Sequence, residues 1–142
     1  MSSDNRLAAI ARITAGTMVE ALGIRVTALG DGTASGEMDY REDLRQSGGL
    51  FHAGAILALA DSVATSAALT VVSPEGEFDL ARFPLAIQTS SNLVGNVDRG
   101  KLVATAEAVH RGQTTIVVET KVRDERGKLI ATTSTTLLVP GG

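Results

Sequence analysis

Apolar residues recur along the chain at different spacings, and each spacing predicts an element. Across residues 4–17, Leu7, Ile10, Ala11, Ile13 and Thr14 fall at i, i+3 and i+4 intervals, the pattern of an amphipathic helix. Asp4 is read as its N-cap, and Gly16 lies near its end. Ile24, Val26 and Ala28 then alternate with Arg25, Thr27 and Leu29; Gly30-Asp31-Gly32 signals a turn, and residues 33–40 return as a second strand. Residues 41–50 are polar and glycine-containing, and read as a loop. Residues 53–72 are apolar on most of their surface and rich in Ala, Leu and Ile, which predicts a long helix enclosed by other elements. Ser73-Pro74-Glu75-Gly76 stops it. Four strand-like runs follow at residues 84–94, 100–110, 114–124 and 128–139. In the third, Ile116, Val118, Thr120 and Val122 share one face. The breaks between the runs are short, which favours antiparallel neighbours.

The order is helix, two strands, long helix, four strands. This predicts an α+β domain in which an antiparallel sheet of about six strands wraps one long central helix. The 142 residues fit a single domain spanning residues 1–142. No second helix of comparable size is available to cover the rest of the sheet, which points to a dimer. Aromatic residues make up only 3% of the chain against 44% hydrophobic residues, so the core is built from Ala, Val, Ile and Leu. The net charge of −3 and the lack of interleaved aromatics argue against a nucleic-acid partner. The absence of cysteine excludes disulfides, thiolate zinc sites and a cysteine nucleophile, and fits a cytoplasmic location. The amino-terminal segment has neither the basic start nor the apolar run of a signal peptide. The central helix is long enough to span a bilayer, but Asp61 at its middle costs roughly 3 kcal/mol there, so it reads as the buried helix of a protein without a membrane partner.

Asp61 is the most informative residue. A carboxylate inside an apolar helix is unfavourable unless it is paired or functional. It either caps a loop or meets an arginine of a partner, or it faces a cleft as a general base or nucleophile. His52-Ala53-Gly54-Ala55 opens the same helix with small residues. The first amides of a helix have no internal acceptor and carry the positive end of its dipole, so a carbonyl oxygen that reaches them is polarised. The Ala53 N–H is the best donor; equally, the small residues serve tight packing. Eight positions separate Ala53 from Asp61, about 12 Å along a helix axis. One helix therefore does not bring both to one carbon, whereas an antiparallel, two-fold related copy does. Thr65 follows Asp61 by four residues on the same face, placed either to bond a water or the carboxylate or to bond its own helix. Gln46, with an amide that both donates and accepts, suits orienting a carboxylate or water, or is a solvated loop residue. His52 lacks the companions of a metal site and reads as a loop anchor.

The stretch from Gln46 through Ser-Gly-Gly-Leu-Phe-His52-Ala-Gly-Ala-Ile-Leu-Ala-Leu-Ala to Asp61 resembles the acyl-CoA thioesterases of the hotdog fold. It is most similar to the branch with the phenylacetate-pathway thioesterase and the Arthrobacter-type 4-hydroxybenzoyl-CoA thioesterase. The resemblance implies that Asp61 activates water or attacks the thioester carbonyl, that the Ala53 N–H polarises that carbonyl, and that Gln46, His52 and Thr65 complete the catalytic set. It implies substrate contacts at Gly54, Thr89 and Ser90, with the CoA phosphates near Arg99, Lys101, His110 and Arg111. No cofactor is expected, since coenzyme A is part of the substrate, and no metal. Subunits are expected to pair through their sheets into a dimer, and dimers into a tetramer. Two departures stand out: Ala53 replaces the usual glycine, and Thr89-Ser90-Ser91-Asn92 is more polar than the usual strand. The hydratases of this fold pair an Asp with a His five residues on; here that position is Ser66. No Gly-x-Ser-x-Gly elbow occurs. The alternative to hydrolysis is a module that binds an acyl ligand without turnover.

Overall fold

A computed structural model describes residues 3–141, with side chains described from Asn5 onward. Helix α1 covers Ser3–Thr14 and helix α2 Met18–Ala21. Strands β1 (Arg25–Leu29) and β2 (Thr33–Asp39) form the hairpin. Helix α3 covers Ala53–Val72. Strands β3 (Leu85–Leu93), β4 (Lys101–Arg111), β5 (Thr115–Asp124) and β6 (Leu129–Leu138) follow. All pairings in the six-stranded sheet are antiparallel, and the strands lie in the order β1-β2-β4-β5-β6-β3.

The sheet curls round α3 because small residues face each other. Ala34 of β2 and Ala104 and Ala106 of β4 are buried beneath the helix residues Ala60, Val63, Ala64, Ala67 and Ala68. Gly36 marks the closest approach: a Cβ there would stand 2.7 Å from Val63 Cγ2 and 2.9 Å from the Arg25 carbonyl oxygen. Any larger residue would push β2 off the helix. α3 is long and apolar enough to cross a bilayer, but 61% of its most apolar window is packed inside this fold.

Three local expectations are corrected. The first helix stops at Thr14, not residue 17, because Gly16 turns the chain at φ 76°. Thr17 instead starts α2, its hydroxyl accepting from the Val19 N–H. α1 begins at Ser3, so Asp4 lies inside it and not at its cap, and the Asp4 side chain falls outside the described residues. The loop at residues 41–50 contains a short 3-10 turn at Glu42–Leu44 and a bridge between Arg45 and Phe51.

The larger correction concerns β3. The short break after it predicts that β3 pairs with β4, and it does not. β3 lies at the far edge against β6, with Thr89 opposite Thr135 and Ser91 opposite Thr133. In a sheet wound round a helix, the chain passes from one edge to the middle by crossing the helix end instead of by a hairpin. Here the crossing segment is tied to the residues before α3: the Phe51 N–H donates to the Val97 carbonyl.

Candidate active site

The start of α3 is held by three tethers. The Tyr40 hydroxyl donates to the Gly49 carbonyl at 2.7 Å, and its ring meets Phe51 edge-on at 5.2 Å. The Asn96 carboxamide clamps the Phe51 backbone from both sides, accepting from its N–H at 3.2 Å and donating to its carbonyl at 2.9 Å. His52 is the N-cap: its Nδ1 accepts from the Gly54 N–H at 2.8 Å, and its own N–H donates to the Leu44 carbonyl. Asn96 and Tyr40 escaped the sequence reading, which placed Asn96 in a break between strands. The signal was there in kind, since a lone Asn where a strand ends is a side chain suited to bonding a nearby backbone.

These tethers decide which helix-start amide is free. Gly54 is occupied by His52, while Ala55 and Ile56 donate to the His52 carbonyl. The Ala53 N–H has no acceptor among the described residues, and Ala53 is exposed. This is a donor at the positive end of a 20-residue helix, open to an incoming oxygen.

Asp61 corrects the expectation of a buried carboxylate. In the single chain it is exposed, and it has no hydrogen-bond or ion-pair partner among the described residues. It stands at a cavity of about 180 Å³, whose walls include Ile10 and Ile13 of α1, Val26, Leu69 and Phe83. Desolvation against this apolar surface raises its pKa above the ordinary aspartate value. Thr65 lines the same cavity one turn on, and its hydroxyl makes no hydrogen bond among the described residues. The neighbouring Ser62 and Ser66 hydroxyls are turned back onto their own helix, to the Ala58 and Ser62 carbonyls.

The remaining expected site residues do not gather at Asp61 within one chain. Ala53 stays about 12 Å from it along the helix. Gln46 is used inside its own loop, its Oε1 accepting from the Leu50 N–H at 3.3 Å. Thr89 and Ser90 are exposed on the edge strand β3, outside the Asp61 cavity. The basic residues expected to form one phosphate site divide between the two ends of β4. Arg99 pairs with Asp98 and borders a cleft with Leu50, Asn96 and Val97 near the start of α3; Lys101 is bonded to Glu37. His110 and Arg111 lie at the other end, where Arg111 holds Asp31 of the hairpin turn. An 11-residue strand separates them, because β4 runs the length of the helix.

The arrangement offers a partnerless carboxylate beside an apolar cavity and, at a distance, a free backbone donor. Comparison with known proteins gives the family. The sequence profile of the thioesterase superfamily matches residues 48–131. A 1,4-dihydroxy-2-naphthoyl-CoA hydrolase of Listeria monocytogenes is 28% identical over 120 residues, covering 84% of this chain and 93% of that protein. The structure of AziG from S. sahachiroi superposes with a TM-score of 0.78 at 28% identity, over 88% of this chain and 97% of that one. The E. coli PaaI protein of the phenylacetic acid degradation operon shares the fold, with a TM-score of 0.84 over 99% of this chain and 96% of that one at 20% identity.

Proposed function

Because the chain belongs to the thioesterase superfamily, with the hotdog architecture of a sheet wrapped on one helix, we propose that it hydrolyses an acyl-CoA thioester with Asp61 as the catalytic carboxylate. One observation carries the reading: Asp61 is an ionisable group with no structural partner, facing an apolar cavity. A carboxylate that stabilises nothing in its own chain is a candidate for chemistry. The naming of the Listeria relative as a naphthoyl-CoA hydrolase supports coenzyme A as the carrier.

In the proposed reaction Asp61 takes a proton from water, and the hydroxide adds to the thioester carbonyl; alternatively the carboxylate adds directly and water releases the acyl group. Either route places negative charge on the carbonyl oxygen, and the Ala53 N–H of a second subunit stabilises it. The carbon–sulfur bond then breaks, the thiolate takes up the proton, and free acid and CoA leave. Thr65, with its hydroxyl unengaged, orients the water. Gln46 and His52 act by holding the loop and helix start that present Ala53. Gly54 leaves room for the substrate there.

The second subunit is part of the proposal. β3 is nine residues long and open along one edge, with Leu85 50% and Ile87 58% exposed. An open edge strand is a template for pairing. β3-to-β3 pairing under a two-fold axis sets two α3 helices antiparallel and brings Thr89 and Ser90 to the shared site; pairing of dimers gives a tetramer. Arg99 then reaches the CoA phosphates from the subunit that supplies Ala53. We place the enzyme in the cytoplasm, with no cofactor, metal or nucleic-acid partner. The test is thiol release from a panel of acyl-CoA esters by the wild type and Asp61→Asn. A loss of about 10²–10⁴-fold in turnover with binding retained supports the reading. Binding without turnover by the wild type makes the protein an acyl-CoA binding module instead.

A further inference from the structure

The cavity beside Asp61 holds information about the acyl group, beyond the reaction type. Its hydroxyls are nearly all engaged. Ser62 and Ser66 bond the Ala58 and Ser62 carbonyls at 2.7 and 2.9 Å, and Thr14 of α1 bonds the Ile10 carbonyl at 2.8 Å. Among the described lining groups, the Asp61 carboxylate and the Thr65 hydroxyl are the polar side-chain groups without a hydrogen bond. Asp61, Thr65 and Leu69 follow one another at i, i+4 and i+8, so the polar end of the cavity is at Asp61 and the apolar end one to two turns further along α3.

The far wall is not part of the sheet-wrapped helix core alone. It is made by α1, through Ile10 and Ile13, and by Phe83, which stands just before β3. Ile10 is a core residue at 3% exposure, whereas Ile13 and Phe83 are half-buried. The Arg6 guanidinium bonds the Leu29 and Gly30 carbonyls of the hairpin, which fastens α1 in place over the cavity. The cavity is open to solvent at Asp61 and has a volume of about 180 Å³. An apolar cavity of about 150 Å³ holds one benzene molecule. The space beyond Asp61 therefore fits a single six-membered ring or a chain of about six carbons.

Resting on the thioesterase reading above, we infer that Phe83 and Ile13 are the specificity-determining residues, restricting the enzyme to compact acyl groups. Longer chains and fused rings meet the α1–Phe83 wall.

The experiment is a kcat/KM profile of the wild type, Phe83→Ala and Ile13→Ala over straight-chain C2 to C16 acyl-CoA, benzoyl-CoA and naphthoyl-CoA. The wild type is expected to peak at C4–C6 and at the single ring. It should fall at least about tenfold at C12 and for the fused ring. Each truncation should move the chain-length optimum out by two or more carbons. A wild-type optimum at C12 or longer, or folded variants with an unchanged profile, overturns the inference while leaving hydrolysis intact. Should either variant fail to fold, the wild-type profile and the other variant decide. No turnover of any ester overturns this inference and the thioesterase reading together.

Discussion

Asp61 and Glu37 are both carboxylates, and the fold treats them oppositely. Glu37 is held by Arg25 at 2.8 Å and Lys101 at 2.9 Å, and these bonds lower its pKa, Arg25 most. Its contribution to stability is present above the ordinary glutamate pKa and is lost as pH falls through the lowered folded value. Asp61 has no such partner, and desolvation raises its pKa. The folded chain then binds the proton more tightly than the unfolded chain. That contribution is full below the ordinary aspartate pKa and disappears as pH rises through the raised value. At neutral pH the ionised carboxylate works against folding. Asp61→Asn should therefore raise stability at pH 7 by less than about 1 kcal/mol, given the solvent exposure, while abolishing turnover. Denaturant titrations at pH 7 and pH 4 check this, since the gain should shrink at the lower pH. A loss of stability at pH 7 would refute it. The acid limb of kcat/KM for the wild type should also fall at a pH above the usual aspartate range. The position of Asp61 in the helix was legible from sequence. Its exposure was not, because that depends on which face of α3 its own sheet leaves uncovered.

At the scale of elements, the long helix and the strands of the sheet were readable from periodicity, and the pairing of β3 was not. Strand register carries no mark of which neighbour a strand will take, and only the wrapping of the sheet round α3 sends β3 to the far edge. The same wrapping turns the segment between β3 and β4 into the clamp on Phe51. Asn96→Ala removes two bonds to that backbone, at 3.2 and 2.9 Å. It should cost about 1–3 kcal/mol and lower kcat through misplacement of the Ala53 amide. Chemical denaturation and steady-state kinetics on one preparation would show both, and an unchanged kcat would detach the clamp from the site. The sheet also carries a defect. Thr120 and Thr135, at 1% and 0% exposure, have hydroxyls with no partner among the described residues. Valine keeps their shape and removes the unpaired group. Thr120→Val should gain about 1 kcal/mol in the same unfolding measurement, and a destabilised variant would mean that the hydroxyl is bonded after all.

For the whole molecule, the separation of Ala53 from Asp61 along one helix makes the proposed site a shared one. Ala53→Pro tests this cleanly. His52 already has φ −64° and ψ 136°, the conformation preferred before proline, and the first helical position has no acceptor to lose. The variant should fold, keep its oligomeric state and lose turnover. Co-expression of Ala53→Pro with Asp61→Asn, each inactive alone, should restore about a quarter of wild-type activity, from mixed dimers with one intact site of two. No recovery in mixed dimers that are shown to form would place both groups in one subunit.

The bond from Tyr40 to the loop ahead of α3 gives the protein a built-in optical reporter. The chain has one tyrosine and no tryptophan, so its tyrosine emission comes from a single ring. That ring donates its hydroxyl to Gly49 and leans on Phe51, next to the helix start. Loop displacement by an incoming thioester would change that emission, with no label and no tryptophan to subtract.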